Sequence, residues 1–215
     1  MQDHLAVDAE EHVIVEPKSK PIHVRVARLV SNILAPASIS LPFIVLVALY
    51  HAQNVPHALL YILITLFFFS IGPFIYILIS VRIGKISDVD VSRRTERAGP
   101  FLFGISSVLA GWLALIILQG PANLQTLMMI TAISGVVMMV TTLWWKISIH
   151  ASSMGGVATV LTALYGAIML PIFLLLILVG WSRVVLRRHT VPQVVAGSLV
   201  SIALTLLILK LRGVQ

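Results

Sequence analysis

The sequence predicts an all-α fold: a polytopic transmembrane bundle of six to seven helices. Three observations predict it. Hydrophobic residues make up 59% of the chain and charged ones 11%, against about half and about a quarter in a soluble domain. The apolar residues fall into runs of bilayer length, since a helix needs about 20 of them to cross the hydrocarbon core. Lys and Arg gather at alternate junctions between those runs, as they do when every second connection stays in the cytoplasm.

Residues 1–20 are polar and read as a loosely ordered lead-in, and the acidic start (Asp3, Asp8, Glu10, Glu11) predicts no cleaved signal peptide. Residues 21–32 carry Val, Ile and Leu interleaved with Arg25 and Arg28, the pattern of a short amphipathic helix lying on the membrane surface. Residues 1–31 thus form a polar N-terminal unit ahead of a transmembrane domain over 32–215. Apolar spans follow at 32–50, 58–81, 99–119 and 123–145. The block 151–181 is too long for one helix and is interrupted between Gly166 and Pro171, so it reads as a tight hairpin of two helices, 151–165 and 169–186. A last span covers 190–211. Seven crossings result, or six if a short one is only partly inserted. Pro36, Pro42, Pro73 and Pro171 are read as kinks or turn-makers.

The connections at 51–57, 119–124 and 166–170 hold no Lys or Arg, whereas Lys18, Lys20, Arg25, Arg28, Arg82, Lys85, Arg93, Arg94, Arg97, Lys146, Arg183, Arg187 and Arg188 fall on the other side. That side is placed in the cytoplasm, and the membrane is taken as a bacterial inner membrane. The net charge of +7 suits anionic headgroups or a phosphorylated substrate. Nucleic acid is excluded as a partner because the basic residues are scattered between spans. Self-association is left open.

Acid placement is the sharper constraint. All eight carboxylates precede residue 97 and the chain has no cysteine. Chemistry in the C-terminal half must then run on His, Ser, Lys and Arg, with no disulfide, no thiolate and no carboxylate-bridged metal there. Asp88 and Asp90 form an Asp-x-Asp pair. Membrane prenyltransferases hold magnesium diphosphate on two acidic loops, but only one is present here, so the pair is read as a solvated loop.

Two runs carry the functional signal. One is Ile147, Ser148, Ile149, His150; the other is Ser182, Arg183, five residues, His189, three residues, Gln193. Each lies where an apolar stretch meets a basic junction. An even number of crossings separates Arg97 from Lys146 and His150 from Arg183, so all three polar clusters fall on one membrane face.

The second run resembles the third motif of the type-2 phosphatidic acid phosphatase and vanadium haloperoxidase superfamily, which reads Ser-Arg, five residues, His, three residues, Asp. Ser148 and His150 resemble the second motif, Pro-Ser-Gly-His, with Ile at the Pro and Gly positions. The first motif, Lys, six residues, Arg-Pro, has no counterpart in that form. The nearest material is Lys85 through Pro100, with Arg94 and Arg97 one helical turn apart, a spacing that sets both guanidiniums on one face. Lys146, four residues before His150, is the candidate for the missing lysine charge.

The resemblance implies a membrane core of that fold and a lipid-phosphate or polyprenyl diphosphate phosphatase. By that carry-over, His189 attacks phosphorus to form a phosphohistidine and His150 protonates the leaving alkoxide. Arg183, Ser182, Ser148, Lys146, Arg94 and Arg97 neutralise the phosphate oxygens. No metal or other cofactor is implied, and the partner is a lipid phosphate in the bilayer. Gln193 is the main departure. An amide carbonyl can accept from the imidazole N–H and orient the ring, but it brings no negative charge. The alternative reading is therefore a non-catalytic member that binds a phosphorylated lipid or serves as a membrane subunit. More ordinary readings also stand: an interfacial histidine at 189, anchoring arginines at 94 and 97, and an aromatic-belt lysine after Trp144 and Trp145.

Overall fold

The computed structural model describes residues 21–50 and 57–213. The polar lead-in 1–20 and most of the 51–57 connection lie outside the described residues. Helix is the only regular structure among the described residues, which is what a bilayer demands: each backbone N–H and C=O must find its partner within the segment.

Helix α1 (Ile22–Ile33) meets α2 (Pro36–Leu49) at a bend of 44°. Pro36 opens α2, where its missing N–H costs nothing. The segment expected to be helical is a helix, and it is docked on the bundle. Ala27 and Ser31 are buried against α8 (Ile172–Val185), while Ile22, Leu29 and Ile33 stay outward.

Helices α3 (Ala58–Leu66) and α4 (Gly72–Arg82) make one span, joined by a π-helical turn over Phe67–Ile71. Pro73 explains the turn, because its ring cannot sit against the carbonyl one turn back without local unwinding. Neighbouring helices bond to this turn: Ser107 Oγ donates to the Phe68 carbonyl at 2.8 Å, and the Ser40 and Ser70 hydroxyls lie 2.9 Å apart.

Three more full-length crossings are α5 (Ala98–Ile117), α6 (Ala122–Trp144) and α9 (Val191–Leu211). A fourth, α7 (Ile149–Tyr165), continues through a 3₁₀ turn to Met169. Five spans therefore have full bilayer length, or six with the bent α1–α2 pair. Helix α8 is a shorter apolar helix whose 14 residues reach about 21 Å. The expected hairpin break lies where Gly166 takes φ 78°, a conformation open to glycine at no steric cost.

Helix α7 is central, packed on α9, α8 and α2. Some 44% of its span is enclosed, against 6% for α3–α4, which faces lipid. The α7–α9 seam is built from small residues: Gly155, Ser152 and Thr159 on one side, Gly197, Ser198 and Ser201 on the other. That is how helices approach closely where lipid offers no hydrophobic drive.

Candidate phosphate site

The run from Ser182 to Gln193 is one folding device. Helix α8 ends in a Schellman turn: Arg187 adopts φ 52°, its N–H donates to Val184 O at 2.9 Å, and the N–H of Arg188 returns to Arg183 O at 3.0 Å. His189 N–H donates to the same Arg183 carbonyl at 3.3 Å. Thr190 then caps α9, and Gln193 closes a capping box. Five residues between Arg183 and His189 are thus the length of a helix end that reverses and restarts.

Gln193 serves two donors with one oxygen. Its Oε1 accepts from Thr190 N–H at 3.1 Å and lies 3.2 Å from His189 Nδ1. A carbonyl oxygen only accepts, so this contact puts the proton of a neutral His189 on Nδ1 and leaves the Nε2 lone pair free.

Ser148 is fully buried and caps α7, accepting from Ala151 N–H at 3.3 Å, while its own N–H donates to Gln193 O at 3.2 Å. Gly197 makes this junction possible, because a Cβ there would sit 2.7 Å from Ser148 O. The two runs singled out in the sequence are therefore bonded to each other through backbone. Lys146 reaches across from the α6–α7 connection, its Nζ donating to Arg188 O at 3.0 Å.

The loop before α5 supplies what sequence reasoning missed. Asp90 Oδ2 accepts from Arg183 Nη1 at 3.2 Å, and Ser31 Oγ accepts from the same nitrogen at 2.7 Å. Asp90 is therefore not a solvated loop acid, and the site is not free of carboxylate. The carboxylate arrives from the N-terminal half, where nothing in the local pattern announces that it is aimed at a residue 93 positions away.

Arg94 and Arg97 flank a 3₁₀ turn over Arg94–Glu96 and do not act as a pair, since one is exposed, the other is buried, and they bond different carbonyls. Arg94 is exposed and donates to the carbonyls of Thr142 and Leu143 at the end of α6. Arg97 is 3% exposed, with Nε on Val91 O at 3.1 Å and Nη1 on Ile147 O at 3.0 Å. Lys85 is exposed. The Ser182 hydroxyl donates to Val179 O of its own helix at 2.7 Å.

The electrostatics are lopsided. His150 lies in the field of Arg183, Asp90 and Arg97. His189 lies in that of Arg97, Lys146 and Arg183, so both imidazoles share Arg97 and Arg183 as neighbours. Burial, then those positive charges, push the His189 imidazole down to about 3, with the Gln193 bond pulling weakly the other way. Burial followed by Arg97, Arg183 and Arg188 also holds Lys146 below the ordinary lysine value. For Asp90, burial acts to raise the pKa, but the charge of Arg183 leads the terms that keep the carboxyl below its usual range.

Arg183 is 2% exposed, and among the described residues its Nε has no hydrogen-bond partner. A buried cation with an orphaned N–H, near other cations, can receive an anion. Beside it, Asp90, Arg97 and His150 line a cavity of about 320 Å³ whose remaining walls include Phe69, Phe74, Ile77 and Phe101. The apolar side leads toward the bilayer interior, where a second cavity of about 230 Å³ shares Pro36, Phe69, Pro73, Phe101 and Ile149 with the first.

Among known families, the model described as the PAP2 superfamily matches residues 131–214. The match contains Lys146, Ser148, His150, Ser182, Arg183, His189 and Gln193, and leaves out Asp90, Arg94 and Arg97. Comparison with curated proteins and with solved structures gave no match.

Proposed function

We propose, from the premise that this chain belongs to the PAP2 superfamily through residues 131–214, that it hydrolyses a lipid phosphate or diphosphate through a phosphohistidine. The observation that carries the reading is the buried Arg183 with its unpartnered Nε, whose backbone carbonyl holds the N–H of a neutral His189.

In this reading the Nε2 of His189 attacks phosphorus. A P–N bond forms as the P–O bond to the lipid alkoxide breaks, and His150 gives its proton to the departing oxygen. Water then attacks the phosphohistidine, His150 takes the water's proton, and inorganic phosphate leaves with His189 restored. Arg183, Arg97 and Lys146 balance charge on the phosphoryl oxygens. The lipid chain lies in the paired apolar cavities, residues 32–215 act as the catalytic unit, and the site opens on the cytoplasmic side of a bacterial inner membrane.

The test is phosphate release from several lipid phosphates by purified protein, with a chelator present. Wild type turns over at least one of them. His189→Ala loses activity by three orders of magnitude or more, roughly the size of losing a covalent route. Equal rates in the two proteins would overturn the reading.

One observation favours a second reading, a phosphate-binding member without turnover: Gln193 is neutral and already shared with Thr190 N–H. In that case lipid phosphate binds to wild type without release, and Gln193→Asp gains turnover.

A further inference from the structure

The segment from Ser87 to Glu96 is a closed strap. Glu96 Oε2 accepts from both the N–H and the hydroxyl of Ser87, at 2.8 Å each, and pins the two ends together. Inside it, Asp88 accepts from the Ser92 hydroxyl at 2.9 Å. Two arginines of the site then hold the strap down: Arg97 donates to Val91 O and Arg188 to Ser92 Oγ. Neither contact involves Asp90.

Val91, beside Asp90, is buried and takes φ 47°. A β-branched residue avoids that conformation, so it persists only where surrounding bonds over-determine it. The bonds that do so are Val91 N–H to Asp88 O at 2.9 Å and Arg97 Nε to Val91 O at 3.1 Å. Their joint effect is to present the Asp90 carboxylate to Arg183. The Asp90 side chain remains 35% exposed, so it has room to leave while the strap stays tied.

We propose that Asp90 is a built-in competing anion that sets how weakly the Arg183 site holds phosphate. Its carboxylate takes Nη1 of that guanidinium and leaves Nε free, so a phosphate reaching Nε meets a second anion already on the group. The inference rests on the reading of Arg183 as a phosphate ligand. Two anions on one guanidinium repel each other, so an incoming phosphate binds more weakly than it would to an Arg183 without Asp90 beside it. Free inorganic phosphate has nothing further to add. A lipid phosphate adds chain burial in the cavity that Asp90 itself lines. The strap therefore weakens both by a similar factor, which leaves the free hydrolysis product, with no chain to bury, only loosely held.

The experiment measures the rise in thermal unfolding midpoint with inorganic phosphate, in detergent micelles, as an apparent Kd. Asp90→Asn and Asp90→Ala are expected to bind phosphate about tenfold tighter than wild type, one charge-assisted competitor having been removed. Asp90→Glu, which keeps the ion pair and the fold, is expected to stay within about threefold of wild type. Should wild type bind while Asn and Ala bind no tighter, the proposal falls and the phosphate site stands. Tenfold tightening in Asp90→Glu also overturns it. If wild type and all three variants show no phosphate response, the Arg183 reading falls and takes the proposal with it.

Discussion

Gln193 shows how much one side-chain oxygen can decide. It fixes the tautomer of His189 and caps α9 together, so Gln193→Leu should strike both functions. The loss of the cap costs about 1 kcal/mol of helix stability. Turnover should fall by roughly 10–100-fold, the scale on which histidine-orienting partners act in metal sites. Unfolding midpoint and kcat measured on one preparation separate the two effects. His189 also sets a pH dependence. Its folded pKa of about 3 lies below the unfolded value of about 6.5, so the unfolded chain binds the proton more readily between them. Stability is fully present above about pH 6.5 and declines as pH falls toward 3. A thermal midpoint series over that window should fall less steeply in His189→Gln, and an unchanged slope would refute the assignment. At this scale the sequence was legible where a contact is local in the chain. His189 and Gln193 are four residues apart, and the resemblance to the third motif implied their pairing. Asp90 and Arg183 could not be paired that way, because their contact depends on how a loop folds over the end of a distant helix. Ser182 was misleading for the opposite reason: a helical serine bonds its own preceding turn.

Helices in this protein are placed by their ends. The Schellman turn at Arg187 tolerates one exchange and forbids another. Arg187→Gly should keep activity, since glycine accepts φ 52° freely. Arg187→Pro should abolish it, because proline fixes φ near −65° and removes the N–H that Val184 O holds. Gly197 is the matching constraint between helices. In Gly197→Ala the new methyl meets Ser148 backbone, which cannot swing aside as a side chain would, so α7 and α9 must part. A cost of about 1–3 kcal/mol is expected, read as a lowered unfolding midpoint, with activity lost in proportion as Ser148 and Gln193 separate. The elements themselves were visible in hydropathy, including the break at Gly166. The π-helical turn was not: Pro73 announces a disturbance, but its form depends on Ser40 and Ser107 from other helices.

Across the whole molecule, polar ties gather on one face. Ser31, Asp90, Arg94, Arg97, Lys146, Arg183 and Arg188 link four separate stretches of chain there. The sidedness assigned from basic residues is tested with single cysteines, since the chain has none of its own. Lys85→Cys should react with a membrane-impermeant thiol reagent only from the cytoplasm, and Ile168→Cys, on the α7–α8 turn, only from outside. The reverse pattern would invert the orientation. The bond between Ser31 and Arg183 spans 152 positions, and that number carries a lesson about biogenesis. As the ribosome delivers helices into the bilayer in order, the first docking surface waits for its guanidinium until the next-to-last helix arrives. A product truncated before residue 183 would keep the spans that precede α8 yet leave Asp90 without the guanidinium that pairs with it in the finished chain.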